Sequence, residues 1–111
     1  MRLLDSNIII YASNPEFGFL RKKISKTKTF ISAISKVEVL GYYKLKKEEE
    51  EILREFFEAS PGFPVSENII ERAIAVRKEK NISVADSIIA ATALENHLEL
   101  VTRNTDDFKG I

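Results

Sequence analysis

The chain has 111 residues, enough for one hydrophobic core and not for two, so a single domain over 1–111 is expected. Seventeen basic residues balance seventeen acidic ones, and 44% of positions are hydrophobic; this excludes a disordered chain and leaves any nucleic-acid partner to local patches rather than an overall field. Cysteine is absent and His97 is the single histidine, which excludes disulfides, thiolate catalysis and multi-histidine metal centres; a metal would take oxygen ligands, favouring the hard cations Mg²⁺ or Mn²⁺.

Leu3 and Leu4 begin a short buried strand that delivers Asp5, and Ser6 and Asn7 are cap-type residues before a helix over 8–12. Asn14-Pro15 breaks that helix, and 17–24 reads as a second one ending in Arg21, Lys22 and Lys23. Residues 28–31 are β-rich and form strand two. Ser35-Lys36-Val37-Glu38 has the pattern of a capping box, followed by a stripe of Val37, Leu40, Tyr43 and Leu45. A further helix starts near Glu48 and carries Ile52, Leu53, Phe56 and Phe57 at helical spacing. Ser60-Pro61-Gly62 stops it, and Phe63-Pro64-Val65 suits an edge strand.

Ser66 caps a helix bearing Ile69, Ile70, Ala73, Ile74 and Val76, which stops near Lys80-Asn81. Ser83-Val84-Ala85-Asp86 is a second capping box, opening an alanine-rich helix through Leu94 that suits close packing on a sheet. His97 ends it, favourably placed for the helix dipole and assigned no catalysis. Residues 98–102 form strand four, and 103–108 leave it as a polar loop. Short strands alternating with longer helices imply an α/β fold, with a mainly parallel sheet between helices on both faces. Phe17, Phe56, Phe57, Tyr42 and Tyr43 are expected in the core or a dimer interface.

Right-handed crossovers bring the carboxyl ends of the strands to one side, where ligands of open α/β sheets bind. Asp5, Ser6, Asn7, Ser35, Glu38, Thr102, Asn104, Asp106 and Asp107 fall at such ends, and Asp86 joins them from a helix start. Glu38 and Asp86 have a simpler use as the third residue of a cap, but that use is compatible with a second one. Clustered carboxylates repel, and a divalent cation removes the repulsion while it polarises a bound phosphodiester. An Asp-x-Asp nucleophile of the aspartyl-phosphatase type is missing, because residue 7 is Asn.

Leu3-Leu4-Asp5-Ser6-Asn7, Ser35-Lys36-Val37-Glu38, the run from Val84 through Ala93 and the run from Leu100 through Phe108 together resemble the four signature blocks of PIN domains, in order and over nearly the whole chain. Among these the resemblance is greatest to the VapC toxins of VapBC toxin–antitoxin pairs. It implies a three-layer α/β/α PIN fold with a four-stranded sheet, or a five-stranded one as in relatives that continue past the block ending in Phe108. It further implies a Mg²⁺- or Mn²⁺-dependent endoribonuclease, silenced by a VapB-type antitoxin and usually dimeric. Asp5, Glu38 and Asp86 match the family's main acids. Asn104 stands where many relatives have Asp, so the fourth ligand is open between Asn104, Asp106 and Asp107. Lys22, Lys23, Arg103 and Ser6 are the candidate RNA contacts. The alternative is a degenerate PIN-like domain that binds RNA or protein without cutting. No apolar run suits a membrane span and Asp5 stands where a signal peptide would have its apolar centre, so a cytoplasmic protein is expected.

Overall fold

The computed structural model describes residues 1–13, 28–102 and 105–111. The expected helix over 17–24, with Lys22 and Lys23, lies outside them, as do Arg103 and Asn104. Among the described residues, four short strands pair in parallel in the order β3-β2-β1-β4: β1 (Arg2–Leu4), β2 (Thr29–Ser32), β3 (Gly62–Phe63) and β4 (Glu99–Val101). The helices between and after them are α1 (Ser6–Ser13), α2 (Ala33–Leu40), α3 (Lys47–Ala59), α4 (Glu67–Glu79), α5 (Val84–Glu95) and the single turn α6 (Thr105–Phe108). No helix among the described residues is long and apolar enough to cross a membrane.

The two-residue period of a strand explains why one sheet feeds two cores. Leu3 stands opposite Phe30 on β2 and Leu100 on β4, and all three pack with Ile89 and Ala93 of α5. Leu4 stands opposite Val101, and with Ile31 it points the other way, onto Ile8, Ile9, Val39, Leu53 and Phe57 of α1, α2 and α3. The fully buried large side chains among them, such as Leu3, Leu4, Ile9, Ile31, Leu53 and Ile89, each contribute roughly 1.5–3 kcal/mol relative to exposure. The alanines of α5 admit α4 closely: Ile69 and Ala73 meet Ala91, and Val76 meets Ala90. An Arg72–Glu95 ion pair of 2.9 Å joins the same two helices at their surface.

Several local expectations shift. Strand two runs one residue further than expected, so the cap of α2 is Ser32, whose Oγ accepts from the Ile34 N–H at 3.3 Å, and not Ser35. The register of the helix moves by three positions with it. Ser35 and Val39 become its buried residues while Val37, expected in the apolar stripe, is 68% exposed. The edge strand ends at Phe63 because Pro64 has no N–H to continue the ladder. The polar segment expected to be a loop instead forms α6 at Thr105–Phe108, with Phe108 packed against the α5 side of the sheet.

His97 turns the chain from α5 into β4. It adopts φ 53°, while the Leu98 N–H reaches the Ala93 carbonyl at 2.9 Å and the His97 N–H reaches Leu94 at 3.4 Å. That is the Schellman closure of a helix, with a histidine where glycine is usual. The reversal is tight, so α5 runs antiparallel to β4 and its first turn lies toward the carboxyl ends of the strands.

Candidate active site

Asp5 is fixed from both sides by backbone. Its N–H donates to the Val101 carbonyl at 3.0 Å, extending the sheet by one residue, and its own carbonyl accepts from Ile8 at 3.1 Å and Ile9 at 3.3 Å, starting α1. Asp5 therefore holds the capping place expected for Ser6 and Asn7. The residue is 3% exposed. One carboxylate oxygen accepts from the Ser6 N–H at 2.8 Å and the other from the Thr102 hydroxyl at 2.7 Å. The start of α1 favours negative charge there. None of the ion pairs among the described residues includes Asp5. A carboxylate has about four acceptor positions, so Asp5 keeps two for a further partner.

The Ser6 hydroxyl ties Asp5 to a second acid. Its Oγ lies 2.7 Å from Oε1 of Glu38 and 3.0 Å from Oγ of Ser35. A hydroxyl has one proton and a carboxylate only accepts, so Ser6 donates to Glu38 and Ser35 must donate to Ser6. The chain Ser35 to Ser6 to Glu38 runs from α2 through α1 and back to α2, and holds an exposed glutamate from a buried serine pair. Glu38, expected at the third residue of its helix, is the sixth, in the last turn and a half, so capping does not account for it.

Asp86 is the third residue of α5, and its N–H donates to the Ser83 Oγ at 3.1 Å, the serine half of the expected capping box. The helix rests on α2, β2 and β4, and its half-buried Asp86 stands at the end directed toward the strands' carboxyl termini. Among the described residues no three His, Cys, Asp or Glu side chains are grouped closely enough to hold a metal ion. The structure thus joins Asp5, Ser6, Glu38 and Thr102 in one network. Asp86 stands in the first turn of α5, outside any such three-acid group. Asp106 is exposed on α6, and Asp107 follows it there.

The chemistry of the donors fits a hard divalent cation: carboxylate oxygens, one of them on a buried group with acceptor positions to spare. Two features are not visible in the sequence. Ser35 and Thr102 are expected on this side of the sheet, but the Ser35 hydroxyl is free to reach Ser6 only once α2 is seen to begin at Ala33, and Thr102 binds Asp5 across 97 positions of sequence. Ser6→Ala is expected to leave the fold intact and to free Glu38, weakening Mn²⁺ binding by about 10- to 100-fold, the usual cost of losing a group that orients a metal ligand. Calorimetric titration of both proteins measures it; equal affinities would show that the hydroxyl does not organise the glutamate.

The sequence profile of the PIN domain matches residues 2–111. No curated protein matches the chain. Among solved structures it is similar to a chain of a toxin–antitoxin complex from Klebsiella pneumoniae, at 34% identity and a TM-score of 0.84, covering 100% of this chain and 92% of that one. FitAcB from Neisseria gonorrhoeae is similar at 28% identity and a TM-score of 0.74, over 97% of this chain and 91% of the other. FitAB bound to an IR36 DNA fragment is similar at 26% identity and a TM-score of 0.71, over 97% and 88%.

Proposed function

The chain belongs to the PIN domain family, and from that premise we propose that it is a Mg²⁺- or Mn²⁺-dependent endoribonuclease, the toxin of a VapBC-type toxin–antitoxin pair. The observation that carries the reading is Asp5: a buried carboxylate at the carboxyl end of the central strand β1, linked through Ser6 to Glu38. The solved toxin–antitoxin complex that it resembles supports the assignment to such a pair.

In this reading Asp5, Glu38 and Asp86 hold the cation, and Asn104 with one of Asp106 and Asp107 completes the site. When bound, the cation supplies Lewis-acid polarisation of the scissile phosphodiester and offsets charge on the leaving oxygen. The protein's part is to hold the acids. Thr102 and the Ser6 N–H fix the Asp5 carboxylate, Ser35 and Ser6 restrain Glu38, and the Ser83 cap fixes the turn bearing Asp86. Arg103, Lys22 and Lys23 contact RNA phosphates. A VapB-type antitoxin silences the site, the toxin is a homodimer, and it works in the cytoplasm.

The spacing of the acids favours one rival reading, a PIN-like domain that binds RNA or protein without cutting, since no three of them are gathered among the described residues. Mn²⁺ titration separates the two. The nuclease reading expects saturable binding that is lost in Asp86→Asn and weakened in Glu38→Gln. Wild-type protein that binds no Mn²⁺, or variants that bind it equally well, would favour the binding module.

A further inference from the structure

We propose that the turn after α2 is a docking platform for single-stranded nucleic acid, built from the rings of Tyr42 and Tyr43 and the lysines beside them. The inference rests on the nuclease reading, since the platform would lead a strand toward Glu38.

Both tyrosines, expected in the core or at a dimer interface, stand in solvent, Tyr42 49% and Tyr43 84% exposed. They are not on a loose loop. At Gly41, which closes α2, a Cβ would fall on the Val37 carbonyl oxygen, so only glycine brings the chain past the helix end. Beyond the rings, the Leu45 N–H donates to the Tyr42 carbonyl at 3.1 Å and the Leu45 side chain packs on the core that contains Leu4 and Phe57. The turn is therefore anchored at both ends and presents its two rings outward.

The charge around them matches a phosphate backbone. On a chain of zero net charge, residues 36–47 hold Lys36, Lys44, Lys46 and Lys47 against the single acid Glu38. All four lysines are exposed, and Lys44 Nζ lies 5.5 Å from the Tyr43 ring centroid, covering one face and leaving an exposed ring for another. The two rings are 5.4 Å apart and tilted by 58°, so they do not stack face to face with each other. An unpaired base stacks on such a ring whatever its identity, whereas duplex bases have no free faces to offer, which selects a single strand.

The glutamates that open α3 set a limit on one side. Glu49 accepts from the Lys46 N–H at 3.2 Å and Glu50 pairs with Arg54 at 3.0 Å, while Glu48 and Glu51 face solvent. They repel a phosphate backbone from α3 and direct the strand back along α2. Tyr43 lies five positions after Glu38, a reach of at most about 18 Å, so one short strand spans both.

The test is titration of the full chain with a short fluorescein-labelled oligouridylate in EDTA, where binding is read without cleavage. The protein has no tryptophan and three tyrosines, so quenching of its own emission reports mainly on this turn. Expected are quenching on binding, about tenfold weaker binding in Tyr43→Ala, and a larger loss in the Tyr42→Ala/Tyr43→Ala double variant. The Lys44→Gln/Lys46→Gln pair should lower the slope of log K against log salt by roughly 1.4, about 0.7 for each phosphate that is no longer neutralised. Unchanged affinity in the double tyrosine variant would overturn the proposal, and so would unchanged oligouridylate binding together with lost binding of a co-expressed protein partner, which would assign the turn to that partner. If tyrosine-dependent binding is seen but no RNA is cut under any metal, the platform stands and the nuclease reading falls. If RNA is cut and binding ignores the tyrosines, only the platform falls.

Discussion

Asp5→Asn is expected to reduce RNA cleavage by at least two orders of magnitude, while the protein stays folded and melts at the same temperature or higher. The two effects separate because the carboxylate has two roles of unequal weight. As a structural group it accepts from the Ser6 N–H and the Thr102 hydroxyl, and an asparagine replaces both contacts, accepting the first with its carbonyl and donating to the threonine oxygen with its amide. Neutralising a buried charge that has no ion pair among the described residues removes a desolvation cost, so stability holds within about 1–2 kcal/mol, with a gain more natural than a loss. As a cation ligand it has no substitute, and losing several kcal/mol of charge stabilisation costs about tenfold in rate per 1.4 kcal/mol. Cleavage assays beside thermal melts decide it. A variant that loses stability in proportion to activity would make Asp5 a structural acid.

Ile89→Ala is expected to produce the largest loss of stability of any single truncation on α5, about 2–5 kcal/mol. Ile89 is fully buried where α5 crosses the sheet, against Leu3 and Leu98, with Ala85, Ala90 and Ala93 among its neighbours on the helix. Those small side chains cannot swing in to fill the space, so the cavity persists. Against a typical total of about 5–15 kcal/mol the loss is severe, and at roughly 4–8 °C per kcal/mol it is plain in a melt. Below the new midpoint, Mn²⁺ affinity should be unchanged, because Asp86 is held by its own cap one turn earlier. A loss under about 1 kcal/mol in denaturant titration would mean that the core around Ile89 relaxes freely.

The elements are readable in the sequence where apolar periodicity and turn chemistry coincide. Ser66 and Ser83 cap their helices as their spacing demands, and the alternation of Leu3 and Leu4 foretells a strand buried on both faces. The second half of the chain reads better than the first for that reason. Around Ser32–Ser35 two serines compete for one cap within four residues. Local pattern favours Ser35 because Glu38 completes a box with it; the sheet decides for Ser32 by pairing it with Phe63.

That slip also hides part of the site. With Ser35 as a cap, its hydroxyl belongs to the backbone, and the relay to Ser6 and Glu38 has no donor. Tyr43 falls in the core on the same ground, since the stripe that places it there is counted from the wrong start. Thr102 cannot be linked to Asp5 by spacing at all, because parallel pairing of β1 and β4 brings the ends of the chain together. What the sequence carries without the fold is the identity of the acids, since Asp5 directly after an apolar strand already marks the ligand side of the sheet.

Whether the protein is a metal-dependent nuclease is decided by incubating single-stranded RNA with the purified chain, free of any antitoxin, with Mg²⁺ or Mn²⁺ and then with EDTA. Expected are internal cuts that appear with the divalent cation, vanish with chelator and return when the cation is restored. RNA left intact by folded protein at saturating cation, or cut equally well in EDTA, would contradict the nuclease reading.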